Sequence, residues 1–419
     1  MEHPDARVIA REAVLAVLVG IAAAVIPIAV ADAVRVTAET LYVRVPRALG
    51  FAGDAPWWIV VVLTGVGVGV GTIVWLVPGH GGRDSATAGL VGPPISLSAL
   101  PSLVVVLVLA LGAGVSLSPE NVLISVNAAL AVWVLARLRP AVASERVVAL
   151  ATAATIGVQF GTPIAAPLAY LELTGRQVRG NLWDALLAPL VAAGTGAATM
   201  AVLRQPVLTI DVPEYAATTL SDLLGGVAIA DATAVVVLGA VYVYRTLHAV
   251  FHRIRHPVLM TGLGGVVLGV LGILGGPLAM FKDVETMRAL VSTAPETSGP
   301  RLVAVGACSL AGFVVAAASG FRGGRVIASA VLGVNAGVIA HALVPSVPVA
   351  LAVASAVLGA VVVGVRSCWL GIFIPVAMVG SVAVLPVLCV AVLPVWLLTA
   401  HSPGMTIRPA RPEASEESG

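Results

Sequence analysis

Charged residues are scarce in this chain. Asp, Glu, Lys and Arg together make up 11% of its 419 residues, and Lys282 is its single lysine. Soluble domains carry about 25% charged residues. The net charge of +2 supplies no polybasic surface, so we expect no nucleic-acid partner.

Cysteine is also rare, and the motifs of common enzymes are missing. Cys308, Cys368 and Cys389 are unevenly spaced and lie mostly within apolar runs, which is typical of small buried side chains rather than of disulfides or a zinc site. The sequence contains no Walker loop, HExxH pattern or nucleophile–base constellation. We therefore predict a protein that is not an enzyme and has no cofactor and no metal.

Hydrophobic residues, by contrast, make up 59% of the chain, and the mean hydropathy is +1.05. One bilayer crossing needs ~20 apolar residues, so the chain has material for roughly ten crossings. The composition predicts an all-α, polytopic integral membrane protein. Apolar segments are predicted at about 13–34, 57–77, 102–116, 122–136, 147–173, 183–203, 224–244, 257–280, 302–319, 326–343, 346–364 and 369–400.

Several of these segments are too short for a full crossing and end in Gly, Pro or Ser clusters. Such segments are typical of re-entrant half-helices, which bilayers tolerate only where they line a path enclosed by protein. This favours a transporter or channel. Glycines at 65–71 and 264–276 predict close helix packing through small residues.

The positions of the arginines predict how the chain is oriented in the membrane. Basic residues precede the first apolar run and cluster again at 245–255, which places both regions in the cytoplasm by the positive-inside rule. The run from residue 13 has no clear cleavage site, so we interpret it as a retained membrane helix. Residues 204–222 are net acidic and predict an external loop. We expect a multi-pass cell-membrane protein with both termini cytoplasmic.

Two polar breaks interrupt the first half of the chain, GHGGR at residues 79–83 and SPENV at residues 118–122. They resemble motifs of the CLC family of chloride channels and proton/chloride exchangers, which has a Gly-Ser-Gly-Ile-Pro turn at the first position and its gating glutamate at the second. We expect each break to open a helix whose N-terminus faces the membrane interior. His80 stands at the position of the family's anion-coordinating serine.

Further stretches extend the resemblance over residues 10–400. Residues 161–169 read GTPIAAPLA and lead to Glu172, similar to a family helix that ends in two acids, but Leu173 replaces the second acid. For the second-half Gly-x-Phe-x-Pro motif, residues 371–375 match literally, whereas 319–328 (SGFRGGRVIA) fit the longer pattern and leave room for the remaining helices. The family's tyrosine near the C-terminus has no counterpart, because the last tyrosine is Tyr244.

The resemblance implies a CLC-like fold with two inverted halves and a homodimer. The implied divisions are a cytoplasmic N-terminus at 1–12, membrane halves at 13–205 and 206–400, and a disordered tail at 401–419. Glu120 is the implied gate, and Glu172 is a candidate for a proton path. The implied anion-binding residues are Gly79, His80, Gly81, Glu120, Asn121, Gly324, Arg325 and Val326.

Several of these residues also have a simpler structural interpretation. Glu120 could simply cap a helix, although an acid inside an apolar run is a functional candidate by default. Glu172 could end a surface helix paired with Arg176 or Arg179, and His80 could be an ordinary interfacial histidine. Arg322 and Arg325 could attract anions or form structural ion pairs.

The histidines at 248, 252 and 256 share a helix face with the spacing of metal ligands, but a solvated cytoplasmic face is the preferred interpretation. The predicted function is a channel or transporter for an inorganic anion such as chloride, acting in the lipid bilayer. A proton-coupled exchanger, a non-conducting scaffold derived from a transporter, and a carrier of an organic solute remain alternatives.

Overall fold

The structure is a computed structural model that describes residues 6–92, 95–138, 143–175, 181–203, 208–216, 218–280 and 284–407. Within these residues the protein is helical, and the only β-type pairing is an isolated antiparallel bridge between Ser118 and Gly324. The predicted all-α class is confirmed.

The α-helices, in chain order, are α1 (Ala6–Glu39), α2 (Val45–Leu49), α3 (Pro56–Leu76), α4 (Leu100–Gly112), α5 (Glu120–Leu138), α6 (Ser144–Phe160), α7 (Ala165–Thr174), α8 (Leu182–Leu203), α9 (Leu220–Phe251), α10 (Pro257–Gly275), α11 (Val284–Thr293), α12 (Gly299–Ala318), α13 (Val326–Leu343), α14 (Val349–Val365), α15 (Cys368–Val379) and α16 (Leu385–Ala400).

Helix length and hydropathy fit a multi-pass membrane protein. In the described part of the chain, nine helical segments are long and apolar enough to cross a bilayer. Three further apolar helices are shorter, at Leu97–Gly112, Val349–Val365 and Cys368–Val379. Exposed Leu, Val and Trp side chains on the long helices suit a lipid-facing surface.

The same helix–break–helix design occurs twice and positions the site. After α4, the chain turns through Gly114 at φ 87° and enters α5 at Glu120. After α12, it turns through Gly320 at φ 84° and enters α13 at Val326. Positive φ reverses the chain direction at little steric cost for glycine, which explains the abrupt breaks.

Glycine also sets the contact between α3 and α10. A Cβ on Gly67 would lie 2.4 Å from the carbonyl oxygen of Thr261, and one on Gly265 would lie 2.2 Å from that of Leu63. The Thr261 hydroxyl donates a 2.6 Å hydrogen bond to the Gly67 carbonyl. The predicted close packing through small residues is therefore present.

Two predicted segments and one predicted helix start were wrong. The apolar stretch 147–173 divides after Gly161 (φ 62°) into α6 and α7, and the stretch 369–400 divides at Gly380 (φ 66°). No helix begins at 79–83, and the next helical turn starts at Leu97. The reason is that residues 79–82 all have positive φ, which a right-handed helix cannot contain.

The predicted disordered tail at 401–419 begins too early. Met405 is buried, and the Ile407 N–H donates a 2.7 Å hydrogen bond to the Ala86 carbonyl. Arg366, in the left-handed cap of α14, donates to the carbonyl oxygens of Thr399 and Ser402. These bonds tie residues 401–407 to the membrane domain, and residues 408–419 lie outside the described residues.

Candidate functional site

A pair of backbone hydrogen bonds joins the two broken helices. The Ser118 N–H donates to the Gly324 carbonyl at 3.1 Å, and the Gly324 N–H donates back to the Ser118 carbonyl. The bridge sets the start of α5 beside the start of α13. Residues 319–328 thus meet Glu120, whereas the literal motif match at 371–375 lies inside α15.

Glu120 is completely buried at this junction. Its Oε1 accepts hydrogen bonds from the Val326 N–H at 2.6 Å and from the Ser118 hydroxyl at 2.7 Å. Its Oε2 has no hydrogen-bond partner among the described residues. The carboxylate therefore occupies the N-terminus of α13, where free amides and the helix dipole attract negative charge.

Gly324 leaves the space that this carboxylate fills. A Cβ at Gly324 would lie 2.1 Å from Glu120 Oε1, so a larger residue would displace the acid. The Ala328 N–H, in the first turn of α13, is 3.4 Å from the Ser118 hydroxyl oxygen. The surroundings of the Glu120 carboxylate are therefore formed by backbone amides at the start of α13 and by the Ser118 side chain just before α5.

Asn121, the next residue of α5, is buried beside a small cavity of 40 Å³. Arg83, Ser125 and Gly323 also line this cavity. Polar side chains therefore line a cavity next to the turn that precedes α13.

The loop before α4 reaches the site through Ser85 rather than through residues 79–81. Ser85 Oγ lies 2.7 Å from the Phe321 carbonyl oxygen and accepts a 2.9 Å hydrogen bond from the Gly323 N–H. The His80 side chain is exposed, and its Nδ1 is 2.9 Å from the Val74 carbonyl oxygen. The described hydrogen bonds of Glu120 do not include Gly79, His80 or Gly81.

Two buried arginines lie within the turn 319–325. Arg325 donates to the Ala88 carbonyl at 2.7 Å and lies within electrostatic reach of Glu120. Arg322 Nη1 is 3.3 Å from Asp84 Oδ2, so Arg322 forms an ion pair. The Nε and Nη1 of Arg322 are nevertheless buried without hydrogen-bond acceptors among the described residues.

Asp84 also contacts the end of α9, where His252 Nε2 is 3.4 Å from Asp84 Oδ2. Burial alone would raise the pKa of Asp84, but the His252 hydrogen bond and the Arg322 charge lower it to about 2. The Asp84 hydrogen bond in turn raises the pKa of His252. The three histidines predicted to share a helix face are therefore divided, since His256 lies apart, with its ring 4.9 Å from that of Trp75 and tilted by 58°.

Tyr244 of α9 is a site residue that the sequence did not reveal. Its ring is fully buried, its hydroxyl has no hydrogen-bond partner among the described residues, and it lies within electrostatic reach of Arg325 and Asp84. Ser85 was missed as well. Neither stands in a motif that marks it, because long-range packing alone brings both to the turn before α13.

Glu172 lies elsewhere, at the N-terminus of α15. Its carboxylate accepts hydrogen bonds from the Ser367 hydroxyl at 2.5 Å and from the Cys368 N–H at 2.8 Å. It therefore satisfies helix-end donors of α15. The alternative partners Arg176 and Arg179 lie outside the described residues.

Known proteins resemble this chain over most of its length. A family model described as "Voltage gated chloride channel" matches residues 57–397. YfeO of Escherichia coli (strain SMS-3-5 / SECEC), named as a candidate ion-transport protein, is 42% identical over 408 residues, covering 97% of each chain. YfeO of Escherichia fergusonii has the same identity and coverage.

Two solved structures share the fold. A slow cyanobacterial Cl⁻/H⁺ antiporter matches with a TM-score of 0.78 and 19% identity, over 96% of each chain. A CLC-type fluoride/proton antiporter matches with a TM-score of 0.69 and 20% identity, over 95% of this chain and 97% of the other. At these identities the likeness concerns the arrangement of helices.

Proposed function

The chain belongs to the voltage-gated chloride channel family, and on that premise we propose that it carries an inorganic anion, with chloride as the expected one, across a cell membrane. The observation that supports this most is the position of Glu120. Its carboxylate is bound to the first amide of α13, as a partly dehydrated anion would be.

In the proposed mechanism Glu120 acts as the gate. The ionised carboxylate holds the Val326 N–H and excludes an anion from the same position. Protonation removes the charge of Glu120 and frees the amide, and a transported anion then binds to the end of α13. Among the described residues Oε2 has no hydrogen-bond partner, and the bonds of Oε1 to the Val326 N–H and the Ser118 hydroxyl oppose the release of Glu120.

The proposed anion contacts surround this gate. The backbone at Gly324 and Val326 provides amides, Asn121 and Arg325 provide buried polar and positive groups, and Arg322 and Tyr244 extend the polar lining. Gly79, His80 and Gly81 belong to the loop that carries Ser85, and Ser85 is the residue through which this loop contacts the turn before α13. A buried cation beside a narrow path raises the local anion concentration.

Coupling to protons is the feature in which a channel and an exchanger differ. We assign this protein to channel-like or weakly coupled transport. Glu172 is engaged by the N-terminus of α15, and Leu173 follows it where a second acid would serve an exchanger. A homodimer, inverted halves at 13–205 and 206–400, and cytoplasmic termini complete the proposal by family resemblance.

The experiment that tests the function is chloride efflux from vesicles containing the purified chain. We expect chloride to leave protein-containing vesicles faster than empty ones once a potassium ionophore balances the charge. Efflux at the empty-vesicle rate would favour the non-conducting scaffold. Uptake of a labelled organic solute without chloride movement would favour a carrier of organic substrates.

A further inference from the structure

At the end of α9, an aspartate from the loop before α4 meets two histidines that are one helical turn apart. The ligand atoms of Asp84, His248 and His252 all lie within 4.8 Å of one another. From this geometry we propose that the three side chains bind a divalent transition-metal ion of the zinc class. The site is distinct from Glu120, whose hydrogen bonds go to Ser118 and Val326.

The orientation of the His252 ring leaves one nitrogen available as a ligand. Its Nδ1 is 2.9 Å from the His248 carbonyl oxygen, an acceptor, so Nδ1 carries a proton. In the neutral ring, Nε2 then presents a lone pair to Asp84 Oδ2 at 3.4 Å. The positive charge between these two lone pairs is either the proton of a His252–Asp84 hydrogen bond or a metal ion that replaces that proton.

The spacing of these two atoms matches a tetrahedral centre. Zinc binds histidine nitrogen and carboxylate oxygen at about 2.0–2.2 Å, so two of its ligands in tetrahedral geometry stand about 3.4 Å apart. The separation of His252 Nε2 and Asp84 Oδ2 is 3.4 Å. One ion can therefore contact both atoms without a change in the backbone.

The position of His248 and the hydrogen bond that holds Asp84 also fit a metal site. His248 lies in the last turn of α9 and His252 is the cap residue that follows it, so the two are four residues apart, the spacing with which helical histidine pairs hold zinc. Their rings are stacked with centroids 3.6 Å apart. Asp84 Oδ1 accepts a 2.9 Å hydrogen bond from the Ala86 N–H, which fixes the carboxylate while Oδ2 faces the histidines. Three protein ligands leave a fourth position for water or an anion.

Arg322 is the competing cation. Its Nη1 lies 3.3 Å from the same Asp84 Oδ2 that the metal would use. Metal binding and the Arg322–Asp84 ion pair are therefore alternatives. Neutralising Arg322 should strengthen metal binding, whereas removing a ligand should weaken it, and a nonspecific surface site would not respond in both directions.

The test is calorimetric titration of Zn²⁺ into the detergent-purified, chelator-treated full chain. We expect one zinc ion per chain, with affinity reduced about tenfold or more in both His252→Ala and Asp84→Asn and increased in Arg322→Gln. His256→Ala is the matched control, because this histidine lies at the start of α10 with its ring 4.9 Å from that of Trp75. The control should bind zinc like the unaltered protein.

Elution from a sizing column checks that each variant is folded. X-ray absorption of the zinc-loaded, unaltered protein gives a readout that needs no variant, and we expect imidazole and oxygen ligands at zinc–ligand distances of about 2.0–2.2 Å. Absence of zinc binding, or equal affinity in His252→Ala and the unaltered chain, would overturn the proposal. An absorption spectrum without imidazole scattering would do the same.

Discussion

Individual side chains at the candidate site form hydrogen bonds with residues that are distant in sequence. Glu120 accepts from Val326, which is 206 residues away, and Ser85 is bonded to Gly323, which is 238 residues away. A buried carboxylate is expensive inside a membrane unless donors satisfy it. The α13 amide and the Ser118 hydroxyl provide those donors for Oε1, whereas Oε2 has no hydrogen-bond partner among the described residues.

Neutralising Glu120 tests this role directly. In Glu120→Gln the negative charge and its titration are removed, so chloride efflux from vesicles should persist or rise and lose its dependence on pH between acidic and mildly alkaline buffers. Arg325 lies within electrostatic reach of Glu120.

If Glu120 were only a helix cap, the amide oxygen would still accept the Val326 hydrogen bond. The loss would then be a dipole interaction of about 0.3–1 kcal/mol, and any pH dependence of efflux would survive. Glu39→Gln is the control, because it makes the same change at an exposed carboxylate paired with Arg44. An unaltered pH profile in Glu120→Gln would rule out the gate.

Helices place these residues through their breaks and their contacts. The turns at Gly114 and Gly320 bring the starts of α5 and α13 together, while α3 and α10 approach closely because glycines remove the side chains between them. Neighbouring glycines of α3 differ in whether they face α10. Gly67 faces α10, whereas a Cβ on Gly69 would meet nothing within 4 Å.

The contact between α3 and α10 predicts unequal effects of two identical substitutions. Gly67→Ala places a Cβ 2.4 Å from the Thr261 carbonyl oxygen, and we expect it to lower the free energy of unfolding by about 1–3 kcal/mol. Gly69→Ala, two residues along the same helix, should cause no loss. Thermal unfolding in detergent measures both, and equal melting temperatures would contradict the packing argument.

The whole molecule joins two broken helices from different parts of the chain at one buried junction, which is the proposed anion site. Neither half contains a complete site, because the carboxylate belongs to α5 and the amide that binds it belongs to α13. The two antiporter structures share this helix arrangement, but transport coupling depends on individual residues. Coupling must therefore be measured on this protein.

An imposed chloride gradient should move few or no protons. The reasons are that Glu172 is bonded to the start of α15 and that Leu173 carries no acid. The measurement is proton uptake by vesicles under a chloride gradient, with the chloride movement recorded in parallel. Proton pumping against its gradient at a fixed ratio to chloride would show that the protein is an exchanger.

Hydrophobic composition was enough to predict a helical membrane protein, because a bilayer demands apolar helices. Motif order singled out Glu120 and residues 319–328, which lie together in the structure, while the role of Glu120 stays a prediction. The same patterns failed at 79–83, where the spacing of glycines gives no information on the sign of φ.

Only the tertiary structure decided which residues meet. Ser85, Tyr244 and the pair of Asp84 with His252 come from loops and helices far apart in sequence, and no local period records such contacts. The structure also separated His256 from the other two histidines, because the chain turns between α9 and α10. A helix face can be read from sequence spacing, whereas the partner that packs against it depends on how every other helix fills the remaining space.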